Sequence, residues 1–133
     1  MYLRHLLIVA LVIAGVAFHH LARGQGRPSM DSLRGATIRW MFVEPPVVGM
    51  KFEHTFRDDG TLVWRVIDGP GKGVSKEEKR YATMKIADGV HVVSYLAASG
   101  HTLSVVVDFN TGRVVGFGSD NKEWQPLTGM LLD

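Results

Sequence analysis

The chain has 133 residues, with 15 Lys and Arg, 13 Asp and Glu, 6 His and no Cys. That length suits one domain around a single core, and a hydrophobic content of 46% with a small net charge excludes a disordered chain. The missing Cys excludes a disulfide framework, a thiolate nucleophile, a Cys-ligated zinc and a lipidated Cys. Three basic residues, Arg4, Arg23 and Arg27, precede Asp31 and no acid does, so from Asp31 onward 12 basic residues face 13 acidic ones. A domain that close to neutral lacks the cationic surface a nucleic-acid partner requires.

Residues 1–27 read as an address. Arg4 and His5 precede Leu6–Phe18, thirteen apolar or small residues without a charge. A run that short fits a secretory h-region better than a bilayer span of about 20 residues. Gly15 and Ala17, then Ala22 and Gly24, have the small-x-small spacing that signal peptidase needs. The reading is a hydrophobic N-terminal helix that exports the domain to the periplasm or the exterior. The alternative is an uncleaved anchor through residues 6–18, which would be the chain's one link to a membrane.

Residues 31–133 form the domain. From Arg34 onward, turn signals recur roughly every 10 to 17 residues, among them Pro45-Pro46, Asp58-Asp59-Gly60, Gly69-Pro70-Gly71, Asp88-Gly89, Ser99-Gly100 and Thr111-Gly112. The segments between them are rich in β-branched and aromatic residues, which predicts strands. Eight are expected: residues 36–42, 50–57, 61–67, 79–86, 90–97, 102–109, 113–117 and 123–131. Consecutive antiparallel hairpins twist and close on themselves to remove exposed edges. The expected fold is therefore all-β, a small up-and-down antiparallel barrel.

Side-chain pairing sets the register of two hairpins. A three-residue loop at Asp58-Asp59-Gly60 places Phe56 opposite Leu62, His54 opposite Trp64 and Phe52 opposite Val66, with Glu53 opposite Arg65 on the other face. Phe52, Phe56, Leu62, Trp64 and Val66 are then core. A two-residue turn at Ser99-Gly100 places Leu96 opposite Leu103 and Ser94 opposite Val105, and His91 opposite Asp108 on the other face. Alternation favours the Val90, Val92, Leu96 face as the inner one.

The histidines His54, His91 and His101 have no metal-ligand spacing. His54 is a polar handle among apolar neighbours. His91 beside Asp108 would be an oriented imidazole, but no nucleophile elbow accompanies it. Arg65, next to Trp64, is the candidate partner of a ligand carboxylate, since a guanidinium binds carboxylate through two parallel bonds. Gly69–Gly73 lacks phosphate-loop spacing and reads as a connection. Lys76–Arg80 reads as a solvated charge run, with a helical turn at Ser75–Arg80 as the alternative. Neither a catalytic set nor a cofactor is indicated.

The stretches Phe52-Glu53-His54-Thr55-Phe56, Trp64-Arg65-Val66, Val93-Ser94-Tyr95, Val106-Val107-Asp108-Phe109-Asn110 and Lys122-Glu123-Trp124 resemble the molybdenum cofactor biosynthesis protein F (MoaF) family, in its short single-domain form. The likeness spans roughly residues 35–129. It is similar, more distantly, to the phenolic acid decarboxylases. The resemblance implies a calycin, lipocalin-like barrel and a link to molybdenum cofactor without defined chemistry. The decarboxylases bind and protonate a hydroxycinnamate with a buried Arg and Glu. An ungapped overlay puts those two positions at Val74 and Ala97, so no catalytic residue carries over; a shifted overlay brings in Arg80 and Glu78. The overlay also turns Ala97, and with it His91, Val93 and Tyr95, toward the interior, against the alternation above.

The sequence thus predicts an exported barrel that binds one small aromatic or amphipathic molecule without chemistry. Its site residues are Phe52, His54, Phe56, Trp64, Arg65 and Tyr95. A cryptic lyase and a structural or interaction module are the alternatives. The apolar strands at Val90–Leu96 and Leu103–Phe109 offer a face for a homodimer.

Overall fold

The computed structural model describes residues 31–133; the leader or anchor assigned to residues 1–27 lies outside them. Nine strands follow one another: β1 (Thr37–Phe42), β2 (Lys51–Phe56), β3 (Leu62–Asp68), β4 (Ser75–Glu78), β5 (Tyr81–Ala87), β6 (Val90–Leu96), β7 (Thr102–Asp108), β8 (Arg113–Ser119) and β9 (Trp124–Leu131). They form one antiparallel sheet in the order β4-β3-β2-β1-β9-β8-β7-β6-β5. Each strand pairs with its chain neighbour, except that β1 also pairs with β9 and no ladder joins β4 to β5.

The sheet curls into a half-barrel, with β2 facing β6 across the interior. The gap between β4 and β5 is bridged by other bonds. The Tyr81 amide donates to the Gly60 carbonyl at 3.1 Å, the Tyr81 hydroxyl donates to the Arg57 carbonyl at 2.9 Å, and the Ala98 amide donates to the Glu78 carboxylate at 2.9 Å. The expectation of a ladder-closed barrel is corrected to this extent. Only Lys79 and Arg80 separate β4 from β5, and the sheet edge is satisfied by side chains and turn carbonyls instead.

The extra strand is β4. Three of its four residues, Lys76, Glu77 and Glu78, belong to the expected solvated charge run, and the alternative helical turn at Ser75–Arg80 does not form. The four pair with β3 from Leu62↔Glu78 to Arg65↔Ser75, with Ser75, Lys76 and Glu77 exposed and Glu78 buried. A short charged strand at a sheet edge is a common way to block further pairing.

The β2–β3 register is the expected one, with Phe56↔Leu62, His54↔Trp64, Phe52↔Val66 and Glu53↔Arg65. The β6–β7 register is one residue off expectation: Leu96 pairs with Thr102, Tyr95 with Leu103, Val93 with Val105 and His91 with Val107. His91, Val93 and Tyr95 are the buried side chains of β6, and Leu96 is exposed. The inner face is therefore the one opposite to the face that alternation favours. His91 and Asp108 lie on opposite faces, and the Asp108 carboxylate accepts from the Thr111 hydroxyl and the Asn110 and Thr111 amides in the β7–β8 turn.

The core fills the concave side. Trp40, Phe56, Leu62, Val107 and Val114 are fully enclosed, and side chains of that size each contribute roughly 1.5–3 kcal/mol on burial. Of the five expected core residues, Phe52, Phe56, Leu62 and Val66 are buried, while Trp64 packs against them partly exposed.

Candidate functional site

A cavity of about 390 Å3 opens at one end of the half-barrel. Its rim comes from three loops: β1–β2 with Pro46 and Val47, β6–β7 with Ser99 and His101, and β8–β9 with Asp120 and Glu123. Its wall is apolar, from Phe42, Phe52, Trp64, Leu103 and Leu127. Side chains reach it because alternate residues of each curled strand point to the concave side.

His54 and Tyr95 meet across the interior, with Nε2 and Oη 3.2 Å apart. His54 is sandwiched between Trp40, at 3.9 Å between ring centroids and 14° between planes, and Phe56, at 6.1 Å and 17°. Enclosed this way, the imidazole is held neutral: burial lowers its pKa to about 3. Burial, with the Glu78 charge as a smaller cause, pushes the Tyr95 hydroxyl up. Both groups are therefore neutral hydrogen-bonding partners near pH 7. His54 Nδ1 and Trp40 Nε1 are buried without a hydrogen-bond partner.

Glu78 sits beside this pair. One carboxylate oxygen accepts from the Trp64 indole N–H at 2.9 Å and the other from the Ala98 amide at 2.9 Å. The carboxylate thus fixes the orientation of the Trp64 ring and ties β4 to the β6–β7 turn.

At the rim, Asp120 accepts from the Lys122 and Glu123 amides, and these bonds hold its carboxyl below the usual range. Ser99 Oγ lies 3.2 Å from His101 Nδ1, and His101 Nε2 lies 4.0 Å from Asp120. The last distance is too long for a hydrogen bond, so this row ties two exposed loops together and does not form a nucleophile–base relay. Among the described residues no group of three or more His, Cys, Asp or Glu is placed to hold a metal ion.

The MoaF-like family model matches residues 43–131, about two thirds of the chain. The chain belongs to the MoaF-like family. No curated protein matches it. Among solved structures it is similar to a Burkholderia vietnamiensis protein provisionally named a β-lactamase, at 20% identity and a TM-score of 0.63, over 75% of this chain and 93% of that one. A likeness at that identity shows a shared fold.

In this MoaF-like domain, four of the six expected site residues, Phe52, His54, Trp64 and Tyr95, line one cavity. Phe56 stands behind His54, fully buried against Tyr81 with ring centroids 5.1 Å apart. Arg65 points to the convex side. Its guanidinium binds Glu53 at 2.7 Å, and Arg39 binds the other oxygen of the same carboxylate at 2.7 Å. The Arg39 hydrogen bond is the main reason the Glu53 pKa is lowered. Arg65 is next to Trp64 in sequence, and neighbours in a strand point to opposite faces; with Trp64 inside, Arg65 stands outside.

Of the two overlay positions, Ala97 lines the cavity and Val74 is exposed in the β3–β4 connection. Glu78, which entered only through the shifted overlay, is the residue that sequence reasoning undervalued. The available signal was Trp64: an inward-pointing indole N–H needs an acceptor, and Glu78 lies on the adjoining strand.

Proposed function

We propose that this MoaF-like domain is an exported small-molecule-binding module of calycin type, without catalysis. The observation that carries this reading is the open, largely apolar cavity of about 390 Å3 with the neutral His54–Tyr95 pair in its wall. Its size and composition, apolar walls with a few convergent polar groups, are those of small-molecule sites. The ligand is one aromatic or amphipathic molecule, seated against Phe52 and Trp64, with His54 and Tyr95 as neutral hydrogen-bonding groups in the wall beside it. The link to molybdenum cofactor suggested by the family name is a label of kinship here.

A second feature bears on partners. Register sets Met84, Val92, Val106 and Val115 side by side on the convex face of β5 to β8, and Ser94, Ser104, Phe117 and Pro126 in the neighbouring row. Neither row carries a charge. Contiguous exposed apolar side chains mark association surfaces; Met84 and Phe117 are the exposed large apolar ones of these rows, and the occupant proposed is a second copy, which presents the same side chains.

Native mass spectrometry of the protein purified gently from its own host tests these points together. The expected spectrum shows a chain shortened at its N-terminus, a non-covalent adduct lost in Trp64→Ala, and a dimer. A folded protein without adduct, together with release of carbon dioxide from an added hydroxycinnamate, would instead support the lyase reading, with Tyr95 in the cavity wall and Glu78 behind Trp64 as its candidate groups.

A further inference from the structure

The carboxylates and the Lys and Arg side chains around the cavity are not balanced, and the rim histidine, His101, stands 4.0 Å from Asp120. Asp120 and Glu123 line its mouth, and among the described residues no Lys or Arg does. The one arginine that sequence reasoning placed there, Arg65, is on the convex face and bound to Glu53. A ligand carboxylate entering the cavity would meet two carboxylates and no cationic side chain of Lys or Arg.

The wall repeats the preference. Phe42, Phe52, Trp64 and Tyr95 line the space, and the face of an aromatic ring attracts cations. The Trp64 indole donates its N–H to the Glu78 carboxylate. That bond pushes electron density into the indole and makes its face more negative. Burial is the larger cause that disfavours the phenolate of Tyr95, and the Glu78 charge adds to it. Only the Glu78 part depends on the sign of a charge, and it opposes an anion beside Tyr95.

Neutral groups complete the inventory. His54 lines the cavity, is fully buried and stays uncharged near pH 7, so it does not oppose a cation, and its Nδ1 has no partner.

We infer that the ligand of this cavity is an organic cation, an amine with an aromatic or apolar body, whose body lies against Phe52 and Trp64 and whose charged end faces Asp120 and Glu123. This inference rests on the small-molecule-binding reading above and narrows it.

The test is isothermal titration of the purified full chain with three probes that share one ring system: 2-naphthylmethylamine, 2-naphthylmethanol and 2-naphthoate. The amine is expected to bind at least about tenfold more tightly than the carboxylate, with the alcohol between them, because two nearby carboxylates act on the charge in opposite senses. Glu123→Gln should weaken the amine about threefold and leave the alcohol unchanged, and Glu123→Lys should erase the preference. Salt at 0.5 M should narrow the gap, since the mouth is open to solvent. Equal binding of all three, or tighter binding of the carboxylate, overturns the cationic ligand and leaves the cavity reading standing. Absence of binding by every probe overturns the cavity reading itself, and the inference with it.

Discussion

His54 shows how one buried side chain couples packing to pH. Its imidazole lies between Trp40 and Phe56, where only the neutral form is compatible with burial, and its pKa falls from 6.5 to about 3. The unfolded chain binds a proton near pH 6.5 and the folded chain does not, so the stability due to this group is present above pH 6.5 and is lost as pH falls toward 3. Between pH 6.5 and 5 the loss should approach about 1 kcal/mol per pH unit. His54→Phe keeps a ring in the stack and removes the titration. Urea denaturation at pH 7 and pH 5 should show a smaller acid-induced drop in this variant than in the wild type, since every group common to both cancels in the difference. An equal drop in both would place the pH dependence elsewhere.

Two hairpins carry the same turn, and one of them was legible. In the β2–β3 turn, the Arg57 amide donates to the Thr61 carbonyl and the Gly60 amide to the Arg57 carbonyl; in the β6–β7 turn, Ala97, His101 and Gly100 repeat both bonds. Gly60 has φ +88° and Gly100 φ +92°, and a Cβ at either would meet nothing within 4 Å. Alanine at either position should therefore cost about 1–2 kcal/mol from backbone conformation alone, and the two costs should match within error in thermal or urea unfolding. A large gap between them would show that the turns are energetically different despite their shared bonds. The sequence yielded the first register because Phe56, His54 and Phe52 contrast with Thr55 and Glu53, so that a slip exposes the aromatic face. It did not yield the second, because valines occupy both faces of β6 and β7. Val92 and Val93, or Val105 and Val106, look alike to alternation, and only the concave surroundings of Tyr95 and His91 separate them. The same limit hid β4, whose single buried residue, Glu78, is charged and is recognised by its partners, Trp64 and Ala98. The site was legible in part for the same reason. Phe52, His54 and Trp64 follow from the β2–β3 register, whereas the rim acids share the β8–β9 loop, which only the curl of the whole sheet brings to the same cavity.

The sheet consists of two meanders, β1 to β4 and β5 to β9, and the β1–β9 ladder joins them into one unit. That seam is short: Trp40↔Leu131, Met41↔Met130 and Phe42↔Gly129, with the Leu132 amide donating to the Arg39 carbonyl at 2.8 Å. It also carries the cavity, since Phe42 and Leu127 lie on its two strands and line the same space. Gly129 lets the strands approach. A Cβ there would sit 2.2 Å from the Met41 carbonyl oxygen and 3.0 Å from the Phe42 ring, so Gly129→Ala must push the backbones of β1 and β9 apart. Gly118, on β8, is the control, because a Cβ there would make an ordinary 3.5 Å contact with Leu127. Separating a main-chain seam is expected to destabilise by more than about 3 kcal/mol, the range of overpacking and broken backbone pairing together, whereas Gly118→Ala should stay within about 1 kcal/mol. If the seam is what makes one cooperative domain of two meanders, Gly129→Ala should also separate the unfolding of the two halves. Hydrogen exchange would report it: amides of β2 and β3 would then exchange at a different free energy from those of β6 and β7, while in the wild type both sets share the global value. Matching protection in the variant would mean that the His54–Tyr95 contact across the interior and the Tyr81 and Glu78 bonds across the β4–β5 gap hold the halves together without the seam.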